Sequence, residues 1–124
     1  MIWPVIRKWE RMPFSYDGND CCQFVGECIE AVTGENPAAE FFYGSEAEAY
    51  ELIDSYGSLY GLLTDVFGEP DGCANEYGLA LTECRGREMA GFVWGDKLIV
   101  KTAGGLTDWP VSRAVAVWSL ECRQ

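Results

Sequence analysis

The chain has 124 residues, 48% of them apolar and 14% aromatic, which is material for one cored domain and excludes a disordered segment. No apolar run approaches the roughly 18 residues of a membrane-spanning helix. The formal net charge of −11 repels nucleic acid and anionic lipid, so direct DNA binding is not expected.

Trp3, Ile6 and Trp9 recur at helical spacing between Trp3 and Glu10, with Pro4 suited to a first turn. Met12 to Gly18 is turn-rich. Asn19 or Asp20 then caps a helix whose apolar stripe is Cys21, Phe24, Val25, Cys28, Ile29 and Val32, and Gly34 ends it. Glu27 and Glu30 mark its wet side. Ser45-Glu46-Ala47-Glu48 has the capping-box pattern and opens a helix through Tyr50, Leu52 and Ile53 that stops at Gly57. Ser58 opens another, with Leu59, Leu62, Leu63, Val66 and Phe67, closed by Gly68. Glu69-Pro70-Asp71-Gly72 is a turn. Beyond it the pattern changes to period two and to β-formers. Strands are predicted over Leu79–Cys84, Met89–Trp94, Lys97–Thr102 and Ala114–Leu120, with a tight hairpin at Gly95-Asp96 and a break at Gly104-Gly105. Helices followed by an antiparallel meander predict an α+β class: N-terminal helices on a C-terminal sheet of about four strands, in a single domain over residues 1–124.

The charge is unevenly spread. Between Met12 and Cys84 there are fifteen Asp and Glu and no Lys or Arg; every basic residue lies in the first eleven positions or from Arg85 onward. Such a block solvates a small domain and also offers an acidic face to a basic partner. The start, Met1-Ile2-Trp3-Pro4-Val5-Ile6-Arg7-Lys8, lacks the charged-then-apolar layout of a secretory leader, so synthesis in a cytoplasm is expected. In that setting most of Cys21, Cys22, Cys28, Cys73, Cys84 and Cys122 read as small hydrophobes rather than a disulfide framework. With no Cys-x-x-Cys pair and no histidine, no metal site and no cofactor are expected. Five Trp and six Tyr are more aromatic surface than one core commonly uses. Trp3, Trp9, Trp94 and Trp109, near a terminus or turns, are the interface candidates; filling the core is the alternative.

Gly18-Asn19-Asp20-Cys21-Cys22-Gln23-Phe24-Val25 carries the chemistry. A cysteine nucleophile is usually placed at a helix start, where the dipole lowers the thiol pKa. The adjacent Asp20 opposes that effect and serves more naturally as an N-cap than as an acid catalyst. Carboxylate pairs such as Asp17 with Asp20, or Glu46 with Glu48, read as a solvated face. A nucleophilic thiol also needs a base, most often an imidazole, and this chain has none.

The same stretch resembles the NlpC-type cysteine peptidases of the papain-like superfamily, whose motif is a Pro-aromatic-x-x-Gly approach to Asp-Cys-x-x-Phe. Here it reads Pro13-Phe14-Ser15-Tyr16-Asp17-Gly18-Asn19-Asp20-Cys21-Cys22-Gln23-Phe24. The family's second motif, a strand of the form His-x-Gly-Ile-x-x-Gly, corresponds to Met89-Ala90-Gly91-Phe92-Val93-Trp94-Gly95. Short phage-encoded relatives among tail genes resemble the chain further, in Thr33-Gly34, in Gly105-Leu106, in Pro110 and in a final strand over Ala114–Trp118.

The resemblance implies a papain-like fold with Cys21 as a relic nucleophile beside Asp20. Met89 stands at the catalytic histidine's position and Phe14 where a tyrosine hydroxyl often assists. A thioether takes no proton near neutral pH and a phenyl ring donates none; loss of a positioned base costs about 10²–10⁴ in rate. The expected function is therefore a structural virion protein. It would be a bacteriophage tail-tip or baseplate component and pseudoenzyme, made in the host cytoplasm and partnered by other phage tail proteins. The alternatives are an active hydrolase of peptidoglycan peptides using a non-histidine base, and an acidic inhibitor of a host protein.

Overall fold

The computed structural model describes residues 2–11, 21–37, 45–70, 77–84, 86–102 and 105–120. Four helices precede five strands: α1 (Trp3–Glu10), α2 (Cys21–Thr33), α3 (Glu46–Ser55), α4 (Leu59–Phe67), β1 (Tyr77–Cys84), β2 (Arg87–Trp94), β3 (Lys97–Thr102), β4 (Gly105–Pro110) and β5 (Ala114–Leu120). The class is α+β, as the order of patterns predicts, but the sheet has five strands rather than about four. The extra one is β4. The strand region does not end before Gly105, which, at φ 118°, opens a strand that returns along β3, with Thr102 opposite Gly105 and Lys97 opposite Pro110; Gly104 lies outside the described residues.

The helices form where the sequence supplies caps and stripes. In α1, Ile6 and Trp9 point inward together with the capping position Ile2, and Pro4 lies in the first turn. The Ser45 side chain accepts from the Glu48 N–H at 3.2 Å, and the Ser58 side chain accepts from the Gly61 N–H at 3.0 Å. α4 has a second cap from across the molecule: the Leu59 N–H donates to the Glu88 carboxylate of β2 at 3.0 Å, a negative group at a helix N-terminus.

All sheet pairings are antiparallel, in the order β4-β3-β2-β1-β5. The consecutive strands β4 and β5 thus occupy opposite edges, joined only by a 3-10 turn, Val111–Arg113. Four inter-strand spacings across a flat sheet are about 19 Å. A 3-10 link from Pro110 to Ala114 advances about 8 Å. The sheet therefore curls, bringing its edges toward each other, and the turn bridges the hollow: the Val111 N–H donates to the Asp96 carbonyl, and the fully buried Thr82 hydroxyl donates to the Arg113 carbonyl at 2.8 Å.

Strand alternation then makes two cores. Leu79, Leu81, Ala90, Phe92, Ile99 and Trp118 face the helices and pack with Phe24, Val25, Cys28, Ile29, Leu62 and Leu63. Ala80, Val93, Leu98, Val100 and Val117 line the hollow, with Met89, Trp109, Val111 and Ala114 packed around them. Gly91 sits on the hollow side, where a Cβ would lie 2.6 Å from the Leu98 side chain and 3.0 Å from that of Val100, so any larger residue needs these side chains to shift. In β5, Ala114 and Ala116 oppose the consecutive residues Thr82 and Leu81; Val115 is the extra residue of a bulge, which accounts for its 60% exposure.

Candidate functional site

The site begins at the first residue of α2. Cys21 is half-buried against the helix-side core, Cys22 beside it is half-buried too, and Cys28, two turns on, is completely buried. None of the three is joined in a disulfide. Burial pushes the Cys28 thiol far above its ordinary range, and the neighbouring charge of Glu27 adds to the effect. Cys28 is thus an inert packing residue, and among these three thiols any chemistry rests on Cys21 or Cys22. Asp20 and Phe14, the residues grouped with Cys21 by sequence, lie outside the described residues, as does Asp17.

Met89 lies within the described residues. It lies opposite Thr82 in the β1–β2 register and packs with the core of the hollow, whereas Cys21 packs with the helix-side core. The two side chains stand on opposite faces of one sheet. The helix-facing positions of β2 are instead Glu88, which caps α4, and Ala90, Phe92 and Trp94, which pack against the helices.

The four tryptophans divide. Trp9, an interface candidate by sequence, is buried at 0% exposure and meets Phe24 edge-on at 5.7 Å between ring centroids. It is a core residue because it completes the inward stripe of α1 begun by Ile2 and Ile6. Its indole N–H has no partner among the described residues. Trp3 is exposed, and its ring stands edge-on to the half-buried Trp94 at 5.0 Å. Trp109 is half-buried beneath the Arg113 guanidinium, 3.7 Å from the ring centroid.

Two features were missed by sequence reasoning. Lys101 of β3 is fully buried on the helix side, where its ammonium donates to the Trp9 carbonyl at 3.3 Å, at the C-terminal end of α1. Burial pushes its pKa below the ordinary lysine value. The signal was the alternation Leu98-Ile99-Val100-Lys101, which sets Lys101 on the same face as Ile99. The second feature is an apolar cavity of about 50 Å³ between α2 and α4, open on one side. Cys22, Val25, Ile29, Leu62, Val66 and Phe67 line it, with Leu79 and Ala90 of the sheet beneath. The thiol at this cavity is Cys22, not Cys21. Among the described residues of the lining, Cys22 is the one with an ionisable side chain.

Among the described residues, no group of Cys, Asp and Glu is arranged to hold a metal ion, and no helix is long and apolar enough to cross a membrane. Residues 2–120 match the family described as Domain of unknown function (DUF6950). The chain belongs to that family. The match takes in both sheet cores, the Cys21 helix start and the α2–α4 cavity. No curated protein and no solved structure matches the chain.

Proposed function

We propose that this chain is a structural component of a bacteriophage tail tip or baseplate, built on a papain-like, NlpC-type scaffold without catalysis. The observation that carries the non-catalytic part is the pairing of two facts. The chain holds no histidine, and Met89, at the position where the resemblance expects one, packs on the sheet face away from Cys21. A base must reach its thiol within a hydrogen bond or one water. The tail assignment rests on the resemblance of the Asp20-Cys21 helix, Thr33-Gly34 and the Ala114–Trp118 strand to short tail-gene relatives. Its partners would be other tail proteins, and its surface charge disfavours nucleic acid.

The experiment is made on particles. Mass spectrometry of purified intact virions is expected to find this chain, and a Cys21→Ala phage is expected to keep full infectivity. Virions without the chain would overturn the tail assignment. Turnover of cell-wall peptides by the purified protein, abolished in Cys21→Ala, would overturn the non-catalytic reading.

A further inference from the structure

We propose that the acidic α2–α4 groove receives the basic outer face of α1 from a second copy of this chain, joining copies head to tail. This rests on the structural reading above and names the partner surface it needs.

Two complementary surfaces carry the argument. The first is the groove. Its floor is apolar, and at its lip Val66 is 38% exposed. The exposed acids Glu30, Asp65 and Glu69 each lie within two residues of a lining side chain. None of the three is ion-paired among the described residues. No Lys or Arg occurs anywhere from Met12 to Cys84 to balance them.

The second surface is the outside of α1. Trp3 and Arg7 fall at i and i+4 on α1 and Arg11, just past its end, continues the row; all three are exposed and lie off the buried stripe of Ile2, Ile6 and Trp9. Trp3 is 53% exposed and already held edge-on by Trp94, so it loses little freedom on docking. Arg7 and Arg11 are exposed and form no ion pair among the described residues; Lys8, by contrast, bridges to Glu27 at 2.9 Å. An indole followed along one side by two guanidinium groups suits an apolar slot whose neighbours in the chain include exposed carboxylates. The arginine stems would cover Val66 while their heads meet Asp65 and Glu69.

The contact runs between copies. α1 is fixed to its own chain by Trp9 against Phe24, by Lys8 against Glu27 and by the buried Lys101 on the Trp9 carbonyl. Its outer face cannot turn into its own groove. Two different patches then meet, which generates a ring if the rotation closes and a filament if it does not.

Sedimentation velocity on the full chain tests this. Self-association is expected at low salt, weakened roughly tenfold or more on going from about 0.05 to about 0.5 M salt. Arg7→Glu with Arg11→Glu, and separately Asp65→Lys with Glu69→Lys, are each expected to abolish it while circular dichroism stays unchanged. An equimolar mixture of the two variants is expected to restore it, since each supplies the face the other lacks. A monomer up to about 0.5 mM protein at low salt would overturn the inference. So would association that survives either reversal, or a mixture that stays monomeric. A chain present in virions yet monomeric in solution would sink this inference and leave the structural reading standing.

Discussion

Lys101 sets an ammonium in an apolar layer, on the same face as Ile99 and against the last turn of α1. Its lowered pKa has a definite sign for stability. The unfolded chain holds this proton up to the ordinary value near ~10.4, whereas the folded chain releases it earlier. Between those two values the unfolded state binds more protons, so this residue's contribution improves as pH rises through the window. Urea titrations at pH steps from about 7 to about 10 should therefore show the wild type gaining relative to Lys101→Met. A constant difference across that range would remove the desolvation argument. Residue identity alone did not reveal this burial, because lysine is read as exposed until register fixes its face. The same limit explains the tryptophans. Trp3 and Trp9 are both on α1, yet one is exposed and the other sealed, and only the Ile2–Ile6–Trp9 stripe tells them apart. Cys21 and Cys28 were legible as one helical stripe; that Met89 turns away from them was not, because it depends on which face of β2 the helices cover.

Each element owes its position to one or two contacts that sequence pattern supplies only in part. α4 was predicted from Ser58 and its Leu59, Leu62, Leu63 stripe, and both hold. The Glu88 cap on Leu59 comes from a residue 29 positions away, beyond any local signal. Glu88→Ala should cost about 1 kcal/mol in a chemical denaturation curve, since one helix-start N–H loses its acceptor. Ser58→Ala should cost a similar amount. β4 was missed because a Gly-Gly pair reads equally as the end of a strand or as the corner of a hairpin; its partner register along β3 decides. Gly91→Ala should be costlier than the cap changes, about 1–3 kcal/mol, because the added methyl meets the buried Leu98 side chain and the Ile99 carbonyl rather than an open surface. A thermal melt of Gly91→Ala matching the wild type would show that β2 and β3 can part without cost.

At the scale of the molecule, charge and topology pull in different directions. The α2–α4 half carries acids and no Lys or Arg of its own, with Glu27 met by Lys8 from α1, and the basic residues gather in α1 and around the sheet. Self-repulsion of the acidic half should make dilute protein melt a few degrees higher in about 0.5 M than in about 0.01 M sodium chloride, read by scanning calorimetry. Salt should thus strengthen the fold while weakening contact between copies, so the two effects separate by protein concentration. The α+β class was legible because helical spacing gave way to period two after Gly72. The curl was not, since it follows from β5 returning to β1 across the whole sheet.

That return has a consequence for how the chain comes off the ribosome. β1 lies between β2, its immediate successor, and β5, reached only some thirty residues later. The meander can begin during translation, but one side of β1 stays bare until Leu120 has left the exit tunnel. Translation therefore delivers the closing stave last, and the apolar rows of Leu79 and Ala80 wait for it uncovered.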